Sequence, residues 1–199
     1  YIFTILCLLT IINAFNFIDG IDGFCSISFL ITIISINIYL GNFFDDILIL
    51  IIIINVMTFI IFNLGLISSL KIFLGDNGST FLGFFLGCYL IYLNQLNLID
   101  PFFIPWLIAI PFYDMCRVIL FRIKNKTNPT TPDRIHIHHV MLNKFNNNTL
   151  VLFFLAIISI LFIIFGYFIS NISSIFSLVL FFIIFFIYNS FLKNFIKLS

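Results

Sequence analysis

Polar residues recur every three positions in Asn13-Ala-Phe-Asn16-Phe-Ile-Asp19-Gly20-Ile-Asp22-Gly23. On a helix this period keeps two amides and two carboxylates on one slowly drifting face. Such groups at the end of an apolar helix are expensive unless they bind something. Their oxygens suit a hard cation such as Mg²⁺, and equally the hydroxyl and amide edges of a sugar or nucleotide. A solvated turn with helix caps is the plain alternative, but a cap needs one Asp, not a series.

A second cluster reads Gly75-Asp76-Asn77-Gly78-Ser79-Thr80. A glycine-rich turn feeding a helix presents amide N–H groups to an anion, and Asp76 can hold a metal ion touching the same anion. An Asp or Ser helix cap is the bland reading. Ser79, Gly83 and Gly87 follow at four-residue spacing, a stripe that predicts close helix packing. The third cluster is Asp133-Arg134-Ile135-His136-Ile137-His138-His139. Arg134 can grip a phosphate through two parallel bonds. If the segment is extended, His136 and His138 share a face, where imidazoles donate to a diphosphate or shuttle a proton. Zinc binding and a merely solvated basic loop stay open as alternatives, although no cysteine lies nearby in sequence. Asp114 and Arg117, three apart, neutralise each other on one helix face or meet a substrate.

These clusters punctuate a very apolar chain. Of 199 residues, 62% are hydrophobic and 9% charged, with a mean hydropathy of +1.24. Soluble domains carry about 25% charged residues, so a water-soluble fold is excluded. A net charge of +1 leaves no nucleic-acid footprint. The four cysteines, Cys7, Cys25, Cys88 and Cys116, form no CxxC and read as reduced packing residues. The expected fold is an all-α, polytopic transmembrane helix bundle, one membrane domain over residues 1–199. Seven apolar runs supply it: Tyr1–Asn16, Phe24–Leu40, Ile47–Leu64, Thr80–Leu96, Phe102–Arg122, Leu150–Ile169 and Ile175–Leu192.

Alternating these spans sends the loops 18–23, 65–79 and 123–149 and the C-terminal tail to one side. All nine Lys and Arg residues lie on or toward that side. The opposite loops hold Asp45, Asp46 and Asp100, with Asp45-Asp46 read as loop solvation. The positive-inside rule makes the basic side cytoplasmic. All three polar clusters are then expected on that face, around a divalent ion and a diphosphate.

At these residues the chain resembles the polyprenyl-phosphate N-acetylhexosamine-1-phosphate transferases, the superfamily containing WecA, TagO and MraY. The matching motifs are Asn13-x-x-Asn16-x-x-Asp19-Gly20-x-Asp22-Gly23, Gly75-Asp76-x-Gly78-Ser79 and Asp133-Arg134-x-His136-Ile137-His138-His139, in the family order. The last of these, with Ala109-Ile110-Pro111 and Asp114-Met115, is similar to the WecA branch.

The resemblance implies transfer of N-acetylglucosamine 1-phosphate from UDP-N-acetylglucosamine to undecaprenyl phosphate, with release of UMP. The reaction would use Mg²⁺ or Mn²⁺, in a bacterial inner membrane, as the first membrane step of cell-wall or lipopolysaccharide synthesis. It implies Asn16 and Asp76 as metal ligands, and Asn13, Asn16, Gly78, Ser79 and Arg134 as substrate-binding residues. Asp19, Asp22, His136, His138 and His139 are implied to be catalytic. The partners are the two substrates and the bilayer, and a homodimer is one assembly left open. The family's Asp-Asp pair, expected upstream of Asn13, has no counterpart here, and the chain opens at Tyr1 within an apolar run. The expectation is an N-terminally truncated chain, inactive alone, whose full-length protein is the enzyme. A polytopic transporter and a fragment with only a packing role are the competing readings.

Overall fold

The computed structural model describes residues 1–41, 46–67, 70–126 and 136–197, with side chains as far as Lys193. Its elements are helices α1 (Ile2–Ile18), α2 (Phe24–Leu40), α3 (Ile47–Asn63), α4 (Gly75–Gln95), α5 (Ile104–Leu107), α6 (Ala109–Asn125), α7 (Ile137–Phe145), α8 (Asn148–Ile172) and α9 (Ser174–Lys197). No strand occurs among the described residues. Each expected apolar run is helical, and the chain is all-α.

Helices α8 and α9 are long and apolar enough to cross a bilayer, and α1, α2 and α3 are apolar helices of 17 residues. At 1.5 Å per residue the shorter ones reach about 26 Å, close to the roughly 30 Å of a hydrocarbon core. Their outward faces are apolar: Phe3, Ile54, Phe153, Phe168 and Phe186 are exposed, while Ser28, Thr32 and Asn37 are buried. That inverts the pattern of a soluble protein.

Local chemistry sets three boundaries that differ from the expected ones. Helix α4 starts at Gly75, not at Thr80. Gly75 takes φ +66°, a left-handed entry that favours glycine, so Asp76 to Ser79 form the first turn of the helix and not a loop before it. The fifth run breaks at Ile108 into α5 and α6. Pro111 has no N–H for the carbonyl of Leu107, and its ring crowds that carbonyl. Only His136 is extended, at φ −58° and ψ 149°; Ile137 to His139 are helical. His136 caps α7, whose first turn holds His138 and His139.

The chain divides into two compact units, Tyr1–Asp100 and Pro101–Ser199. In the first, α1 lies along α4. A methyl added at Gly83 would sit 2.9 Å from Cα of Ile12 and 3.2 Å from the carbonyl oxygen of Ile11, so the two backbones touch there. The small-residue stripe is therefore a packing seam. The turn 19–23 and the residues 72–74 occupy the same end of this unit. At the other end Asp46 caps α3, accepting from the N–H groups of Leu48 (2.9 Å) and Ile49 (3.5 Å). Asp45 lies outside the described residues.

In the second unit the Trp106 indole lies over Gly166, where no Cβ intervenes. Its Nε1 donates to Oγ of Ser177 at 2.9 Å, and the Tyr113 hydroxyl donates to the Phe181 carbonyl at 2.6 Å. These contacts fasten α5 and α6 to α8 and α9.

Candidate active site

The first polar cluster ends α1 and turns into α2. Asn63, the last residue of α3, braces this turn from inside: its Oδ1 accepts from the Gly23 N–H at 2.6 Å, and its Nδ2 donates to the Ile72 carbonyl at 2.9 Å. One buried amide thus holds together the turn 19–23 and the segment leading into α4. Between them lies a cavity of about 330 Å³ lined by Asp19, Gly20, Asp22, Asn63, Phe73, Gly75 and Asp76, with Ile21 and Leu74. Beside it, Asn16 on α1 donates to Oγ of Ser79 at 3.1 Å and to Oδ1 of Asp76 at 3.4 Å. Residues 60 positions apart meet because the Gly83 seam lets α1 and α4 touch one turn further along.

The electrostatics are those of a crowded acidic site. Burial pushes the Asp19 carboxyl up to about 6, and the negative charges of Asp76 and Asp22 add to the effect. Lys71 binds Asp22 at 2.6 Å and stands 5.4 Å over the Phe73 ring. It is nearly half exposed, so the pair contributes little stability and serves mainly to set local charge.

Among the described residues no three His, Cys, Asp or Glu side chains lie close enough to surround an ion. A cation here would draw on one or two carboxylates and an amide oxygen, completing its shell with water and ligand oxygens. This arrangement suits Mg²⁺, whereas zinc favours His and Cys ligands. The all-oxygen donor set of Asp76 with Asn16 fits it once the Asn16 amide presents its oxygen.

Other expected site residues of this unit sit differently. Asn13 is exposed on α1 and its amide returns to the Leu9 carbonyl at 2.7 Å. Gly78 is covered by the Leu74 side chain. Ser79 is fully buried, and its hydroxyl also donates to the carbonyls of Gly75 and Asp76, both at 3.2 Å.

In the second unit, Asp114 on α6 collects three partners. Its Oδ1 accepts from Arg117 at 2.9 Å and from the Ile137 N–H at 2.8 Å, and its Oδ2 meets Nδ1 of His136 at 2.7 Å. The His136 and His138 rings stack with centroids 5.4 Å apart, and His139 approaches His138 at 4.3 Å. His138 is fully buried. Burial, reinforced by the neighbouring histidine and arginine charges against the opposing pull of Asp114, lowers it to about 3, so its ring is neutral near pH 7. Arg134 lies outside the described residues, as does Asp133. The Asn63 brace and the Asp114–His136 bond escaped the sequence reading. The pairing of Asp114 with Arg117, visible from their spacing, was half of the second arrangement.

Comparison with known proteins agrees with these motifs. The profile of glycosyl transferase family 4 matches residues 1–94, which contain α1 to α3 and nearly all of α4. Proteins named undecaprenyl-phosphate alpha-N-acetylglucosaminyl 1-phosphate transferase, from Yersinia pestis and from Escherichia coli (strain K12), are each 34% identical over 148 residues. That is 71% of this chain and 40% of theirs. The protein of that name from Salmonella typhi is 33% identical over 150 residues. The chain thus spans 40% of the length of the curated relatives it matches. No solved structure matches it. With its motifs in family order and this likeness to named transferases, the chain is similar to the polyprenyl-phosphate N-acetylhexosamine-1-phosphate transferase superfamily, and within it to the WecA branch.

Proposed function

We propose that the complete protein transfers N-acetylglucosamine 1-phosphate from UDP-N-acetylglucosamine to undecaprenyl phosphate, releasing UMP, at the cytoplasmic face of a bacterial inner membrane. The observation that carries this reading is the junction of Asn16, Asp76 and Ser79 beside a cavity lined by Asp19 and Asp22. A pocket with this many carboxylates would repel a nucleotide diphosphate unless a divalent cation came with it. We assign Mg²⁺, or Mn²⁺, to Asp76 and Asn16. The chemistry it supplies when bound is neutralisation of the diphosphate charge and polarisation of the bond to be broken.

The chain's own residues do the rest. Asp19 and Asp22 shape the nucleotide–sugar pocket, and Lys71 holds Asp22 in place. The first-turn amides of α4 offer an anion a helix N-terminus, which favours negative charge. His136, with His138 packed beneath it and Arg134 nearby in sequence, is the ring able to move a proton or bond a phosphate oxygen. Binding the donor with its diphosphate held still supplies much of the acceleration by positioning.

The test is UMP release and labelled lipid product from membranes holding the full-length protein, given radiolabelled UDP-N-acetylglucosamine. Turnover should require a divalent ion. Asp76→Ala should lower it by about 10²-fold or more, the scale of losing one metal ligand. Metal-independent turnover, or a fully active Asp76→Ala enzyme, would overturn the assignment.

A further inference from the structure

We infer that Asp114 is a positioning residue that sets the tautomer of His136 and so makes Nε2 of that ring a proton acceptor. The inference rests on the proposed transferase reading, which places His136 among the working residues. It adds what neither the motifs nor the relatives' names supply: a partner 22 residues upstream, on α6, that decides what the imidazole can do.

The geometry is over-determined. A carboxylate only accepts hydrogen bonds. Asp114 is fully buried and paired with Arg117, an arrangement that keeps it a carboxylate. At 2.7 Å from Oδ2, Nδ1 of His136 must therefore carry the hydrogen, and the ring's lone pair lies on Nε2. The other carboxylate oxygen holds the Ile137 N–H at 2.8 Å. That bond caps the first turn of α7 and fixes the backbone bearing His136. Ring and backbone are thus oriented by the same side chain.

A fully buried ionisable group is costly enough to call for a role, and neutralising Arg117 would need only one of these three bonds. With this tautomer, Nε2 can take the proton from a protonated phosphate oxygen. The O–H bond breaks, its electron pair stays on the oxygen as a nucleophile, and the new N–H makes an imidazolium balanced by the Asp114 charge. A ring of the opposite tautomer would donate from Nε2 and could only bind the anion.

Asp114→Asn separates these roles. Its oxygen can keep Arg117 and the Ile137 N–H, while its NH₂ group faces Nδ1 and forces the hydrogen onto Nε2. In the full-length enzyme we expect kcat to fall by about 10²- to 10³-fold with KM for the nucleotide sugar changed less than threefold, the range of losing one general base. In a His136→Ala background the same substitution should cost no further activity. Equal losses in both backgrounds, or a fully active Asp114→Asn enzyme, would overturn the inference. Should the variant not fold, histidine ¹⁵N spectra of the wild-type protein decide. A protonated Nδ1 on neutral His136 supports the inference and a protonated Nε2 refutes it. Metal-dependent wild-type turnover tests the transferase reading separately.

Discussion

Replacing Gly83 by alanine tests how tightly the fold and the site are joined. The added methyl would meet Cα of Ile12 at 2.9 Å, the Ile11 carbonyl oxygen at 3.2 Å and Cβ of Phe15 at 3.2 Å. Two of these are backbone atoms and none is the end of a flexible side chain. Ordinary carbon contact begins near about 3.5 Å, so α1 and α4 must part by roughly half an ångström. One turn away, the Asn16–Ser79 bond, now 3.1 Å, would stretch to about 3.6 Å, beyond hydrogen-bonding range. Overpacking costs about 1–3 kcal/mol, offset by about 1 kcal/mol for exchanging glycine for alanine within a helix. The net destabilisation is therefore small, while the displacement acts directly on the Asp76–Asn16 pair.

The full-length Gly83→Ala enzyme should accordingly melt within a few degrees of wild type in detergent yet release UMP about 10- to 100-fold more slowly, as misplacements approaching 1 Å do. Gly87→Ala is the control. Its methyl would clash with Cδ1 of Leu8, at 2.6 Å, the movable end of a side chain, and would meet Ile11 at an ordinary 3.7 Å, so activity should be near normal. Wild-type turnover in Gly83→Ala, or equal damage in both variants, would refute the claim that the seam sets the site.

Two further outcomes follow from the braces around these sites. Asn63→Leu removes the amide shared by Gly23 and Ile72 and leaves a buried N–H without a partner, which should cost about 1–3 kcal/mol in detergent unfolding and raise KM for the nucleotide sugar; an unchanged melting temperature would contradict this. His138 titrates near 3 when folded against 6.5 as a free ring, so the unfolded chain binds the extra proton between those values. Stability due to this ring is full above pH 6.5 and is lost as the pH falls toward 3, by up to about 1.4 kcal/mol per pH unit. Asp19, raised to about 6, acts in the opposite sense: its unfavourable ionisation is relieved as the pH falls through 6. Comparing wild type with His138→Phe isolates the histidine, and identical pH profiles for the two would show that its ring is not the group responsible.

The apolar runs made the helices legible, because burial in lipid demands length and hydropathy and both are local properties. Pro111 could have announced the break at Ile108, since a proline inside a span removes a bond at a known position. The helical form of Ile137 to His139 was hidden. Their alternating pattern fits an extended strand equally well, and the carboxylate that caps α7 belongs to another helix. Asn16, Asp19, Asp22 and Asp76 could be picked out by residue type and period. What joined them could not: Gly83 acts through a missing side chain, and Asn63 looks like the polar end of a span until Gly23 and Ile72 are seen on either side of it. Lys71 read as topological charge, and only its contact with Asp22 gives it a place at the cavity.

The Trp106 indole resting on Gly166 and bonded to Ser177 has a consequence for how such a chain can change over generations. On the outward faces of α8 and α9, at residues such as Phe153, Phe168 and Phe186, any bulky apolar residue would serve, so mutation can exchange Phe, Ile and Leu there almost freely. At these two small residues no such drift is tolerated: a larger residue at 166 would evict the ring, and loss of the hydroxyl at 177 would strand its N–H in an apolar interior. Lineages of this protein should therefore carry a nearly random greasy text on the outward faces of their last two helices, while the letters at 166 and 177 stay fixed.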